Sequence, residues 1–101
     1  MEQKYTIGFS PKAEQDLGGI VDYLKTLFPE IALDYYNLIN EKIMSLSYMP
    51  ERCPKVRDPF FSELGYRYLI VKNYTVYYKI LGSRVHIYRI LYSGMDYKNL
   101  L

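Results

Sequence analysis

Residues 65–92 constrain the fold of this chain more than any other stretch. They read as three strands, 66–71, 74–81 and 85–91, in which tyrosines and basic residues alternate with aliphatic ones. Turns at Lys72-Asn73 and Gly82-Ser83 join them, and such short connections force an antiparallel meander. A core requires the aliphatic residues. It does not require Arg67, Lys72, Lys79 and Arg89 among so many phenols, so one face of the sheet is expected to meet something charged.

The rest of the chain supplies what the sheet packs on. Tyr5, Ile7 and Phe9 alternate with Thr6 and Gly8, which predicts a first strand. Ser10 and Pro11 then have the chemistry of an N-cap and a first helical residue. Ala13, Leu17, Ile20, Val21, Leu24 and Phe28 recur at helical spacing behind them. Gly18-Gly19 weakens that helix by about 1 kcal/mol per glycine relative to alanine, so another element is expected to approach closely there.

Pro29 closes the first helix and opens a second, whose apolar stripe is Ala32, Tyr35, Tyr36, Ile39, Ile43 and Leu46. So short a connection makes the two helices antiparallel neighbours. Met49-Pro50 stops the second, and residues 51–63 read as a loop. The predicted fold is α+β: an N-terminal strand, an antiparallel helical hairpin, then a three-stranded antiparallel meander, with the helices packed on one face of the sheet. At 101 residues the chain is expected to form a single domain, 1–101.

Composition narrows the function classes. The formal charge is only +2, so net charge identifies no nucleic-acid binder. Its distribution is more telling. Between residues 52 and 89, Arg52, Lys55, Arg57, Arg67, Lys72, Lys79, Arg84 and Arg89 meet only Asp58 and Glu63. Thirteen tyrosines with no tryptophan suit half-buried sheets and contact surfaces, because the ring packs while the hydroxyl stays wet. Cys53 stands alone and forms no intrachain disulfide, which suits a reducing compartment. No apolar run approaches the ~18–20 residues that span a bilayer, and no secretory pattern is visible, so a soluble cytoplasmic protein with no membrane partner is expected.

The usual catalytic signatures are missing. His86 lies inside a strand without companion ligands, and a metal site needs three or four. Cys53, between Arg52 and Pro54, has no histidine near it in sequence to act as base, and is read as inert. There is no glycine-rich phosphate loop and no nucleophile elbow. On the middle strand Tyr74, Val76, Tyr78 and Ile80 share the face expected to meet the helices, and Thr75, Tyr77 and Lys79 share the other. Strict alternation puts Arg67 beside Leu69 and Val71, and Arg89 beside Ile87 and Leu91. Each arginine is therefore either partly buried and paired or displaced by a bulge, and is equally open to a structural or a functional role. The basic-aromatic face itself either holds single-stranded RNA or is a solvated sheet face covered by amphipathic tyrosines.

The chain resembles the RelE/ParE superfamily, the toxins of type II (plasmid-stabilisation-type) toxin–antitoxin systems. The resemblance is carried by Ser10-Pro11-Lys12-Ala13-Glu14-Gln15-Asp16-Leu17, by Leu46 with Met49-Pro50, and by the strand segments 64–71, 74–80 and 85–92 with Asp96. It implies a small bacterial toxin that inhibits growth, needs no cofactor and is neutralised by a cognate antitoxin. Members of one branch cleave ribosome-bound mRNA without metal, since the RNA 2′-hydroxyl is the nucleophile; members of the other act on DNA gyrase.

This chain departs from the nuclease pattern. It has Tyr66 and Tyr68 where paired lysines are expected, Thr75 in place of an arginine, and Tyr92-Ser93-Gly94-Met95-Asp96 where His-x-x-Arg-Asp is frequent. General acid–base help is worth about 10²–10⁴-fold in such a reaction. If the chain is a nuclease, the replacements available by resemblance are Arg67, Lys79, Arg89 and Tyr92. The resemblance thus points to a ParE-like toxin with gyrase as its target. A ribosome-dependent endoribonuclease and a degenerate, non-toxic RNA-binding member are the alternatives.

Overall fold

The computed structural model describes residues 4–101. Strand β1 (Thr6–Phe9) leads into helix α1 (Pro11–Leu27) and helix α2 (Pro29–Met44). A short helix α3 (Pro59–Glu63) precedes β2 (Arg67–Val71), β3 (Tyr74–Leu81) and β4 (Arg84–Tyr92). The meander is antiparallel as its turns require, and β1 joins it parallel to β4, giving the sheet order β1-β4-β3-β2. The α+β architecture, with both long helices on one face of the sheet, is the one the sequence predicts.

The local chemistry of the first helix is as read. Ser10 is extended and its hydroxyl accepts from the Ala13 N–H at 3.0 Å, while Pro11 occupies the first turn. The same hydroxyl donates to the Tyr88 carbonyl at 2.8 Å, so the cap also fastens α1 to β4. Residues 51–63 are more ordered than a loop. Asp58 caps α3 by accepting from the Phe60 and Phe61 N–H groups, with Pro59 at the first position. An Asp-Pro start without a long apolar stripe hid this single turn from periodicity.

Two cores lie on opposite faces of the sheet. The larger packs Ala13, Ile39, Ile43 and Leu46 of the helical side onto Val76, Tyr78, Val85 and Ile87. The smaller gathers Val56, Tyr66, Tyr77 and Leu91, with Phe61, Tyr88 and Tyr97 against them. The split of β3 into Tyr74, Val76, Tyr78 and Ile80 against Tyr77 is the predicted one. On β4 alternation fails. Tyr77 pairs with Arg89 but Tyr78 pairs with Ile87, so Tyr88 is an extra residue in a β-bulge. Beyond it the phase reverses: Ile87 and Ile90 both enter the helix-side core, while Leu91 enters the second. The expected grouping of Arg89 with Ile87 is thereby corrected, while Arg89 and Leu91 still alternate about Ile90.

The helical stripes need smaller corrections. Phe28 and Tyr36 are exposed rather than packed in the core. The expected close approach at Gly18-Gly19 is absent: both are exposed, and a Cβ on either would meet nothing within 4 Å. Their helical entropy cost is therefore uncompensated by packing. Gly18→Ala and Gly19→Ala should each stabilise the fold by about 1 kcal/mol, read as an increase in the urea midpoint at unchanged m-value.

Candidate functional site

The four sequence candidates sit on different surfaces. Arg67 opens β2, half-buried at the sheet edge, and its guanidinium donates to the Cys53 carbonyl at 2.6 Å and the Glu51 carbonyl at 3.2 Å. It is paired, as one of the two readings required, but with backbone rather than with an acid. Tyr78, fully buried, donates to the neighbouring Pro50 carbonyl at 2.6 Å. Together these two side chains hold the 50–53 turn against the sheet.

Arg89 takes both routes left open for it: the bulge redirects it, and it is paired. Its Nε reaches Asp16 Oδ2 at 2.7 Å and a terminal nitrogen reaches Oδ1 at 2.9 Å, a bidentate pair. The other terminal nitrogen donates to the Leu100 carbonyl at 3.0 Å, and Asp16 also accepts from the Ile90 N–H at 3.0 Å. Both side chains are about one-seventh exposed, 16% and 14%. The hydrogen bonds it donates to Asp16 hold the Arg89 guanidinium pKa above its already high ordinary value. Sequence reasoning did not connect Asp16 with Arg89, because the partners are separated by 73 positions.

Lys79 is on the opposite face. Its ammonium lies 4.4 Å from the centre of the Tyr66 ring and 5.4 Å from that of Tyr88. His86 packs on Tyr88 with ring centres 4.5 Å apart. Tyr92, exposed, points to the helical side and meets Tyr74 edge-on at 6.2 Å. Arg89 and Tyr92 thus share one groove, from which Lys79 and Arg67 are absent. Cys53 is buried and reduced.

That groove is a feature the sequence did not reveal. It has a volume of about 830 Å³ and runs between the α1–α2 corner and the ends of β3 and β4. Tyr23, Leu27, Phe28 and Ile31 form one wall and Tyr74, Tyr92 and Met95 the other, with Asp16 and Arg89 deeper along it. Tyr23, Leu27 and Phe28 are 61%, 49% and 54% exposed, a concentration of uncovered apolar surface. The available signal was faint: Tyr23 and Leu27 are apolar positions off the core stripe of α1. A smaller hollow of about 300 Å³ on the other face is lined by Arg57, Tyr68, Tyr77 and Tyr97, with Thr75 and Ser93 sharing a 2.8 Å hydroxyl bond.

The arrangement of a helical hairpin on a meander recurs in solved structures. The chain is similar to one from the chromosomal ParDE toxin–antitoxin system of P. aeruginosa, with TM-score 0.75 and 23% identity over 89% of this chain and 97% of that one. It is also similar to a chain of the toxin–antitoxin complex RelBE2 from Mycobacterium tuberculosis, with TM-score 0.61 and 24% identity over 88% and 98%. The YoeB dimer from Staphylococcus aureus aligns with TM-score 0.54 and 19% identity over 88% and 97%. Among curated proteins no sequence matches. These likenesses define the fold as that of RelE/ParE toxins.

The family model for the ParE toxin of the type II toxin–antitoxin system parDE matches residues 7–97, and the chain belongs to that family. Its role is that of the toxin component of a bacterial toxin–antitoxin pair. Among the described residues no helix is long and apolar enough to cross a membrane.

Two measurements follow from the site chemistry. Asp16→Ala leaves Arg89 partly buried without its acid, and should cost about 3 kcal/mol of unfolding free energy, measured by urea denaturation. Burial, the leading cause in each case, raises the hydroxyl pKa of Tyr66, Tyr74, Tyr77 and, furthest, Tyr78. Above about pH 10 the unfolded chain sheds these protons while the native chain keeps them, so the unfolded state binds fewer. Stability should accordingly lose ground as pH rises past 10, and Tyr78→Phe should flatten that decline.

Proposed function

We propose that this toxin arrests growth by acting on DNA gyrase, not by cleaving mRNA, and that its antitoxin silences it from the groove between the helical hairpin and the sheet. The observation that carries the reading is the dispersal of the nuclease candidates. Cleavage needs an acid, a base and a cation around one phosphate, within hydrogen-bond reach of it. Arg67 is engaged by backbone carbonyls, Arg89 by Asp16, and Lys79 lies across the sheet from Tyr92. The strand positions where cleaving relatives are expected to be basic are here Tyr66, Tyr68 and Thr75, two of them buried in or beside the second core.

The antitoxin reading rests on the groove. Its uncovered Tyr23, Leu27, Phe28 and Ile31 suit an amphipathic helix laid along the hairpin, with the apolar face inward. Such a segment would cover apolar surface that a free toxin exposes to water.

Inducing the chain without its antitoxin and following DNA and mRNA together tests the function. Growth arrest with double-strand breaks and an SOS response is expected, and purified toxin should inhibit supercoiling by gyrase. Rapid loss of translated mRNA over intact DNA would overturn the gyrase reading.

A further inference from the structure

We propose that the sheet face turned away from the helices binds the phosphate backbone of duplex DNA through Lys12, Lys79 and Arg84. The inference deepens the gyrase reading, because gyrase works on duplex DNA, and it places a DNA contact on the toxin itself.

The first support is electrostatic. None of the four strands contains an acidic residue. Among the described residues the sole ion pair is Arg89 with Asp16, so no described carboxylate pairs with Lys12, Lys79 or Arg84. Lys79 and Arg84 belong to one side of the sheet, and Lys12 stands at its border. Val85 and Ile87 enter the helix-side core, which turns Arg84, His86 and Tyr88 to the open face. Lys79 joins them from β3 by lying over Tyr66 and Tyr88. Lys12, exposed in the first turn of α1, borders a depression with Ser10 and Tyr88.

The second support is that two of these cations are held in place. The Arg84 guanidinium lies over Gly8, where a Cβ would collide with it. Ile7 and Phe9 pack toward the helices, so position 8 faces the same open side and its missing side chain makes the seat. The tyrosine rings hold the Lys79 ammonium without cancelling its charge. Held cations lose less freedom on meeting a phosphate than mobile ones.

The same rings decide between duplex and single strand. Single-stranded nucleic acid binds by stacking bases on free aromatic faces. Tyr66 and Tyr88 pack against each other at 5.1 Å, Lys79 covers Tyr66, and His86 lies on Tyr88. Little ring surface remains for a base, whereas phosphates need only the cations.

Fluorescence anisotropy of the purified toxin with a labelled duplex of about 20 base pairs, across a salt series and without gyrase, tests this. Neutralising three phosphates predicts a log–log salt slope of about −2.7. The double variant Lys79→Gln/Arg84→Gln should lower the slope's magnitude by about 2. A control of equal charge change on the helices, Lys25→Gln/Lys42→Gln, should leave it near the wild-type value; both variants keep their fold by circular dichroism. Absent salt-dependent binding, equal losses in the two double variants, or tighter binding to the single strand or to RNA of the same sequence would each overturn the proposal. Since gyrase is absent from the assay, toxin that breaks DNA in cells yet fails to bind duplex sinks this inference alone.

Discussion

The bidentate contact between Asp16 and Arg89 joins three parts of the chain that sequence keeps far apart. Asp16 belongs to α1, Arg89 to β4, and Arg89 also holds the Leu100 carbonyl of the C-terminal segment. The bulge at Tyr88 accompanies the contact: it shifts Arg89 out of phase with Ile87, and the Tyr88 carbonyl accepts from the Ser10 hydroxyl. Helix cap, bulge and ion pair are therefore one junction. The phase of every β4 residue beyond it, and so the membership of both cores, depends on that extra residue.

Much of the architecture was legible because each signal was local. Two-residue turns at Lys72-Asn73 and Gly82-Ser83, an N-cap serine before a proline, and period-two aliphatics on β3 each act within a few residues. The left-handed backbone at Lys72 and Gly82, φ 56° and 61°, is the physical form those turns take. What escaped was non-local. Alternation in residues 85–91 raises a bulge only as one of two readings for Arg89, because the partners that meet the bulged segment, Asp16 and Ser10, lie 73 and 78 positions away. The Gly18-Gly19 pair suggested a close neighbour that is not there, since glycine in a helix signals an anomaly without saying which. The groove was hidden for a related reason: Tyr23, Leu27 and Phe28 look like core residues until the sheet is found to stop short of them.

The candidate site was legible as chemistry but not as geometry. Arg67, Lys79, Arg89 and Tyr92 do stand out as cations and a phenol that a core does not need. The structure distributes them among three tasks: holding a turn, clamping a helix, and lining two opposite faces. One face is apolar and uncovered, the other basic with its rings already packed. A toxin that has an antitoxin as partner has use for two unlike surfaces, and the sheet between them keeps the two from competing for the same residues.

The parallel pairing of β1 with β4 bears on how the toxin comes into being on the ribosome. Contacts of this junction, such as Ser10 with Tyr88, close a loop of 78 residues. Closing so long a loop is slow relative to local turns. The strand that completes the sheet leaves the ribosome before the other three, and the strand it needs leaves after them. Until then the hairpin has no sheet to cover its apolar side. The finished surfaces thus appear together, only once β4 has been made, and a product ending before β4 would present neither the full sheet nor the groove.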